Sequence, residues 1–469
     1  MFVVDDADPV ETTMKTLSIF LILGIGVGSV SAEYQSPRWT ASWTTALAGP
    51  FHEAQFPPPT SPLFTMTARQ LGMVSEFALP NDEASDQTFR VIIKPDVWGE
   101  TIRLRFSNYF GSHDLSLGAA NVGLQEFAGH LLTGTNVRIT FGGGPGVTIP
   151  KGTQIYSDPV HLAFVTPASK VWLRGRNLAV SFEVIGKSGR LSAHGSLVTS
   201  YISRPNSGDH TEDNDDSAFP YVTNSFFLIN ELDVMASADT AVICALGEST
   251  TDWGTTTNGY DLWSDDLSRR LHDIYGDSVS VVNAGIGGNT IITEVKGGSE
   301  PIVKRLGRDV LSIAGLTTVV WAQGENDLEA GLSAKEILDG YRQVVKRLHA
   351  RDIHIVGATV IPSLWPDRHF ENSPWGIELA KKAGSVELNN RRTELNAVVR
   401  SGDVFDLVAD MSRAMEDPST GALYKQLQSG DFIHPNRAGH QAMAAAVDLR
   451  TLVHFPPLKA RPLRPPETR

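Results

Sequence analysis

From residue 241 onward, short apolar runs alternate with segments whose apolar residues recur every three or four positions. The run 241–246 is apolar throughout, as expected of a strand buried on both faces, and 334–350 has the period of an amphipathic helix. Alternating strands and helices require a parallel sheet with helices on both faces, which makes this half an α/β fold. Five strands are predicted at 241–246, 278–283, 317–322, 353–360 and 404–408, and five helices at 261–276, 301–314, 334–350, 386–400 and 435–450.

The preceding residues, 39–235, have a different pattern of short strands separated by Gly and Pro. In 101–107 the apolar residues Ile102, Leu104 and Phe106 alternate with arginines, which is typical of a half-buried strand. This pattern predicts an antiparallel, jelly-roll-like β-sandwich. Its last β-element is expected at 225–230, and the domain boundary near 236–240.

The first 32 residues resemble an export signal. Met14 and Lys15 precede an apolar run at 17–30, and small residues follow at 30–32. We therefore expect a secreted or periplasmic protein, with a membrane anchor or a buried helix as the alternative. No second apolar run is long enough to cross a bilayer, so no membrane association is expected after cleavage.

Composition excludes some classes of partner and cofactor. The formal net charge is −13 and no Lys/Arg cluster is present, which argues against nucleic acid as a partner. The single cysteine, Cys244, cannot form an internal disulfide and is interpreted as a small buried residue. Because the chain has neither a His-Glu-x-x-His motif nor clustered cysteines, no metal and no cofactor are expected.

Polar or glycine-rich clusters stand where three predicted strands end and the last predicted helix begins. They are Gly-Glu-Ser at 247–249, Asn-Ala-Gly-Ile-Gly-Gly-Asn at 283–289, Gly-Glu-Asn-Asp at 324–327 and Asp-Phe-Ile-His at 431–434. Each alone also fits a turn or a helix start. Together and in this order they fall where a parallel sheet places its functional site, at the carboxyl ends of its strands.

These clusters contain the residue types that acyl transfer needs. Ser249 is the candidate nucleophile, His434 the general base that takes its proton, and Asp431 the carboxylate that orients the imidazole. The candidate donors to the oxyanion are the main-chain N–H groups of Ser249 and Gly288 and the side-chain amide of Asn326.

The four clusters resemble the blocks of the SGNH hydrolase superfamily, also called GDSL esterases, over about 241–450. The resemblance implies a flavodoxin-like three-layer α/β/α fold, no metal, and ester hydrolysis, often of O-acetyl groups on sugars. The N-terminal β-region resembles that of a secreted, acetyl xylan esterase-like branch. Two residues depart from the pattern. Glu248 replaces the usual Asp and is expected to alter geometry without abolishing activity, and Glu325 is expected to disfavour anionic substrates.

The resulting hypothesis is a secreted serine-type carboxylic ester hydrolase acting on a small-molecule ester or an acetylated polysaccharide, with its oligomeric state undetermined. Its expected segments are a signal (1–32), a β-sandwich domain (33–237), a catalytic domain (238–457) and a tail (458–469). Trp365 and Trp375 follow the fourth strand and are expected either to bind substrate or to anchor a loop. Two alternatives stay open: a glycan-binding protein without activity, and an acyltransferase.

Overall fold

The structure is a computed structural model that describes residues 36–51, 77–295, 299–364 and 384–452. The expected signal segment, the tail, Trp365 and Trp375 lie outside these residues. Among its described residues, the N-terminal half contains fourteen strands, one short α-helix and a 3-10 helix at Pro80–Asp82. They are β1 (Arg38–Thr44), β2 (Gly49–Pro50), β3 (Glu83–Ile93), β4 (Thr101–Ser107), β5 (Leu115–Phe127), β6 (His130–Leu131), β7 (Val137–Arg138), β8 (Val147–Ile149), β9 (Gln154–Tyr156), β10 (Val160–His161), α1 (Lys170–Leu173), β11 (Leu178–Arg190), β12 (Ser192–Ile202), β13 (Tyr221–Phe227) and β14 (Ile229–Ala236).

These strands form two antiparallel sheets. One has the order β1-β14-β4-β10, with β9 beside β4, and the other has the order β13-β12-β3-β11-β5-β6, with β2, β7 and β8 at its margins. Phe106 of the first sheet meets Phe182 of the second edge-on at 5.9 Å, and within the second sheet Phe182 stacks on Phe89 at 5.4 Å. The antiparallel β-region predicted from the sequence is confirmed.

The alternation in β4 has a consequence that the sequence did not reveal. Ile102, Leu104 and Phe106 enter the sandwich core as predicted. The arginine face, expected to lie at the surface, is covered instead: Arg105 is only 4% exposed and pairs with Glu231 at 2.6 Å. A sheet face with alternating charges can be buried when each charge has a partner.

The C-terminal half contains a five-stranded sheet with helices between its strands. The elements are β15 (Ala241–Gly247), α2 (Ser249–Asp252), α3 (Trp263–Tyr275), β16 (Val279–Asn283), α4 (Ile302–Asp309), β17 (Leu316–Ala322), α5 (Glu325–Glu329), α6 (Ala334–His349), β18 (His354–Ala358), α7 (Val386–Ser401), β19 (Leu407–Ala409), α8 (Met411–Met415) and α9 (Arg437–Ala445). The strand order is β16-β15-β17-β18-β19, and every pairing is parallel.

Two apolar layers cover this sheet. Val242 and Cys244 of β15 face a cluster that includes side chains of α4, α6 and α7, whereas Ile243 and Ala245 face one that includes α3 and α9. Both faces of β15 are thus buried, which explains why its sequence is continuously apolar. The predicted three-layer α/β/α fold is confirmed, and Cys244 is fully buried. Within the described ranges, no helix combines the length and apolar character that a membrane span requires.

Several predicted elements differ in detail. The expected β-element at 225–230 is two strands, β13 and β14, separated by Leu228, which has a positive φ of 59°. In α3, Ile274 is 60% exposed although it continues the apolar spacing of Leu267 and Leu271, and the helix ends at the next residue, Tyr275. By contrast, α6 begins as expected, since Ser333 and Glu336 form a capping box.

The two halves are joined through partly buried hydrogen bonds. Asp96, which follows β3, accepts the main-chain N–H of Val281 in β16 at 2.7 Å and pairs with His272 of α3 at 2.9 Å. Ala41 of β1 donates its N–H to Ala314 O. Such contacts place the described residues from 36 onward in one compact unit.

The His272–Asp96 pair predicts a pH-dependent stability. Burial alone lowers the pKa of His272, but the hydrogen bond and charge of Asp96 raise it above its ordinary value. The added stability is therefore complete below the unfolded pKa, near 6.5, and is lost as pH rises through the folded pKa. Relative to wild type, His272→Gln is expected to lose more unfolding free energy at about pH 5.5 than at about pH 9. Urea unfolding at both pH values measures the difference, and an equal loss at both would contradict it.

Candidate active site

Ser249 lies at the carboxyl end of β15, at the first residue of α2. Only Glu248 separates the last residue of the strand, Gly247, from the helix. A Cβ at position 247 would come within 2.3 Å of Ala322 O in β17, so this close approach of two strands requires glycine. The abrupt strand-to-helix turn leaves Ser249 at the edge of the sheet, where its side chain can meet residues from other loops.

Ser249, His434 and Asp431 form a continuous chain of hydrogen bonds. Ser249 Oγ donates to His434 Nε2 at 2.9 Å, and His434 Nδ1 donates to Asp431 Oδ2 at 2.6 Å. Ser249 is 8% exposed, whereas His434 retains 27% of its side-chain exposure. The structure thus brings together three predicted side chains from opposite ends of the C-terminal half, in the order that proton transfer from serine requires.

The turn at 431–434 holds the aspartate in place. Asp431 Oδ1 accepts the main-chain N–H groups of Ile433 and His434, each at 2.9 Å, and Phe432 takes a positive φ of 59° to make the turn. Burial alone raises the pKa of Asp431, but the hydrogen bonds and charge of His434 and the two main-chain donors outweigh it. The pKa therefore lies below the usual value, and the group is a carboxylate at neutral pH.

Gln428 is a residue that the sequence analysis missed. Its Oε1 accepts the main-chain N–H of Phe432 at 3.2 Å, and Ser429 N donates to His434 O at 2.9 Å. Asn436 then caps α9 by accepting the N–H of Gly439 at 3.0 Å. The Asp-x-x-His pattern is thus followed by a capped helix, and its histidine also contacts Ser249.

The glycine-rich loop after β16 leaves one main-chain N–H group free. The amides of residues 284, 285, 286, 287 and 289 donate, in turn, to Ala245 O, Asn283 Oδ1, Gly247 O, Asp252 Oδ2 and Ile286 O. Among the described residues, no acceptor is present for the N–H of Gly288 or for that of Ser249. Gly288 also has a positive φ of 70°, which favours glycine there. These two predicted donors are therefore available to a bound group.

Asn326, the third predicted donor, is already engaged. Its Nδ2 donates to Glu248 Oε2 at 2.7 Å and to Asn289 O at 3.0 Å. An amide nitrogen carries only two protons, so both are used in this arrangement. Asn326 lies beside the glycine-rich loop, and to bind an oxyanion its amide must share or exchange one of these hydrogen bonds.

Glu248 links the nucleophile turn to the start of α5. Its carboxylate accepts the main-chain N–H groups of Glu325 at 3.1 Å and Asn326 at 3.3 Å, besides the amide of Asn326. The side chain is almost fully buried, and burial followed by the charge of Glu325 raises its pKa well above the usual value. The longer side chain at this position therefore makes a specific bridge between two loops.

Glu325 does not present a charge to the site as expected. It is only 8% exposed, and Ser363, Arg391 and Arg392 are the neighbours that favour its charged form. Burial, with a contribution from the charge of Glu329, raises its pKa to about 8. The group is therefore mostly neutral at pH 7, and repulsion of anionic substrates does not follow from it.

Asp327 stabilises the segment that directly follows the glycine-rich loop. It accepts the N–H groups of Ile291 at 2.8 Å and Ile292 at 3.3 Å, and burial raises its pKa to about 6. Its place in the Gly-Glu-Asn-Asp cluster was the only sequence signal for this function.

The two predicted substrate-binding tryptophans, Trp365 and Trp375, lie outside the described residues. No group of three potential metal ligands occurs in the described ranges.

A family model described as the GDSL-like Lipase/Acylhydrolase family matches residues 245–442. The C-terminal half of this chain is a GDSL-like lipase/acylhydrolase domain. The match spans all four clusters, from the strand before Ser249 to the helix after His434. The recognition of the SGNH/GDSL superfamily from the sequence is confirmed, and the match to this family model supports an ester hydrolase.

Solved structures similar to the GDSL-like domain include a lipolytic protein of the G-D-S-L family from Desulfitobacterium hafniense DCB-2 (18% identity, 44% of this chain and 97% of that one, TM-score 0.32). A second is a GDSL-like lipase from Bacteroides thetaiotaomicron (16% identity, 46% of this chain and 88% of that one, TM-score 0.32). A third is a carbohydrate acetylesterase family member from Sinorhizobium meliloti (19% identity, 44% of this chain and 94% of that one, TM-score 0.33). No curated protein matches the chain significantly.

The bridge made by Glu248 predicts a loss of stability when it is removed. Glu248→Ala leaves the N–H groups of Glu325 and Asn326 buried without an acceptor, and we expect the free energy of unfolding to fall by about 1–3 kcal/mol. Glu394→Ala, at an exposed position of α7, is the control and is expected to change it by less than about 0.5 kcal/mol. Chemical denaturation measures both, and equal effects of the two variants would contradict the bridge.

Proposed function

We propose that this protein is an exported serine-type carboxylic ester hydrolase that removes acetyl or other short acyl groups from carbohydrate. The observation that carries the proposal is the hydrogen-bond chain from Ser249 through His434 to Asp431. A serine hydroxyl alone is a weak nucleophile, and an imidazole within 2.9 Å is the group that activates it. The match to the GDSL-like lipase/acylhydrolase family model supports the same chemistry.

The first half-reaction forms an acyl-enzyme. Ser249 Oγ attacks the ester carbonyl carbon while its proton passes to His434 Nε2. Asp431 holds the imidazole in the tautomer with the proton on Nδ1 and stabilises the imidazolium that forms. The tetrahedral intermediate then collapses, the bond to the alcohol oxygen breaks, and His434 gives its proton to the departing alcohol.

The second half-reaction regenerates the serine. A water molecule gives a proton to His434 Nε2 as its oxygen attacks the acyl carbon. The second tetrahedral intermediate releases the carboxylic acid, and the proton on His434 returns to Ser249 Oγ. The same imidazole therefore acts first as base and then as acid in each half-reaction.

The negative charge of each tetrahedral intermediate needs donors that are in place before the reaction. The N–H groups of Ser249 and Gly288 suit this role because both lack an acceptor among the described residues. Main-chain donors held by a rigid loop need little reorganisation as the charge develops. Asn326 remains a predicted third donor, adjacent to the loop that carries Gly288.

Export and the carbohydrate substrate rest on sequence features. Met14-Lys15, the apolar run at 17–30 and the small residues at 30–32 support export. The resemblance of the N-terminal β-region to acetyl xylan esterase-like proteins supports an acetylated carbohydrate as the substrate. Acetate release from acetylated xylan, compared with that from p-nitrophenyl esters of increasing chain length, tests this part of the proposal.

Replacing the nucleophile should abolish turnover without unfolding the protein. Ser249→Ala is expected to reduce kcat for p-nitrophenyl acetate by about 10⁵-fold or more, to the detection limit. A fluorophosphonate should label wild type once, on the peptide containing Ser249, and should leave the variant unlabelled. Ser401→Ala, at an exposed position of α7, is the control. Unchanged turnover in a folded Ser249→Ala variant would rule the mechanism out.

Replacing the orienting carboxylate should slow the reaction while preserving the fold. Asp431→Asn keeps the size of the side chain, but its amide no longer stabilises the imidazolium or the required tautomer. We expect kcat to fall by about 10³–10⁴-fold, with KM changed much less. Steady-state kinetics and a thermal unfolding curve measure both effects, and a loss below about 10-fold would contradict this role.

A further inference from the structure

The strand β12 of the β-sandwich reaches the segment that follows the nucleophile. His194, in β12, places its Nε2 2.8 Å from Asp252 Oδ1, and Asp252 is the last residue of α2. Both side chains are buried, His194 at 3% and Asp252 at 8% exposure. A buried imidazole donor and a buried carboxylate form a stronger and more directional contact than a surface pair would.

The second oxygen of Asp252 continues the contact into the glycine-rich loop. Asp252 Oδ2 accepts the main-chain N–H of Gly287 at 2.7 Å. Gly287 directly precedes Gly288, whose N–H is free for an oxyanion. An aspartate that holds both His194 and Gly287 thus couples the β-sandwich to the peptide that carries a proposed oxyanion donor.

The same strand makes a second contact nearby. Asn258 donates its main-chain N–H to Leu197 O at 2.7 Å, and Asn258 and Thr199 exchange two further hydrogen bonds at 2.9 Å. The chain after Ser249 is therefore held by β12 at Asp252 and again at Asn258. The contact of His194 is the one that extends to the glycine-rich loop.

We infer that His194 is a positioning residue for the oxyanion site, through which the β-sandwich holds Asp252 and the Gly287–Gly288 peptide in their reactive arrangement. The expected change in kcat rests on the proposed ester hydrolysis. The hydrogen-bonded link from His194 to the Gly287 N–H is independent of that proposal. The β-sandwich is thereby part of the catalytic apparatus, in addition to any binding of substrate.

The protein contains a matched control for this link. His272 and Asp96 form a second His–Asp pair between the two halves, partly buried at 16% and 12% exposure, and Asp96 accepts the N–H of Val281 at 2.7 Å. The residue types are the same as in the His194–Asp252–Gly287 link, but the His272–Asp96 link ends at Val281 within strand β16 and not in the glycine-rich loop. A purely structural effect of losing an interface histidine should be shared by both sites.

A cavity beside His194 permits chemical rescue. It has a volume of about 120 Å³ and its lining includes His194, Asp252 and Tyr260. Cavities of about 150 Å³ hold a benzene molecule, so this space, enlarged by removal of the histidine ring, is suited to an imidazole molecule. Imidazole bound there could again donate a hydrogen bond to Asp252.

The experiment compares His194→Ala, His194→Gln and His272→Ala in the full chain, at a temperature where all three are folded. We expect His194→Ala to lower kcat for p-nitrophenyl acetate by about 10- to 100-fold with KM within about twofold. Added imidazole should restore part of the loss. His194→Gln, which keeps a donor at the same reach, should retain most of kcat, and His272→Ala should stay within about twofold of wild type.

Hydrogen exchange tests the physical link without any substrate. His194→Ala should accelerate exchange of the Gly287 N–H and leave Val281 protected, and His272→Ala should do the reverse. Unchanged exchange at Gly287 in His194→Ala, or an equal kcat loss in both alanine variants, would overturn the inference. A wild type that hydrolyses no ester would refute the proposed function, and the exchange result would still decide whether the link exists.

Discussion

Parallel pairing of β15 with β16 on one side and β17 on the other is the constraint on which the site depends. Parallel strands end at the same edge of a sheet, so the loops that follow them must meet there. Ser249, Gly288 and Asn326 each follow one of these strands, and pairing alone brings their loops together. His434 and Asp431 complete the arrangement from the turn that precedes α9. Residues far apart in sequence thereby come within hydrogen-bond distance.

The loops at this edge are held mainly by buried or partly buried carboxyl groups that accept main-chain N–H groups. Glu248 supports the start of α5, Asp327 the segment at 291–292, Asp252 the N–H of Gly287, and Asp431 its own turn. A buried N–H without an acceptor is costly, so each carboxylate stabilises one loop conformation. In the part of the chain that the structure describes, the amides of Ser249 and Gly288 have no acceptor, and donors left free in an otherwise satisfied loop mark a place where charge can be bound.

The β-sandwich and the C-terminal half share an extensive polar interface. The sheet face that carries Arg105 of β4 and Glu231 of β14 is buried against the segment that precedes β17, where Glu231 accepts the N–H of Ala314 and Arg105 donates to Ser312. The pair His272–Asp96 joins the halves at a further point. Because these charges are paired, their burial does not carry the full cost of desolvation. The interface can therefore be polar and still fix the position of β12 relative to α2.

The sequence by itself determined the fold class, the order of the parallel elements and the four polar clusters, because apolar periodicity and residue type are local properties. It also identified Ser249, Asp431 and His434 as the residues to bring together. Only the tertiary structure decided that Asn326 is engaged by Glu248, that Glu325 is buried and mostly neutral, and that His194 touches Asp252. These facts depend on which side chains share a buried space, and no spacing along the chain specifies the environment that sets a pKa or satisfies a donor.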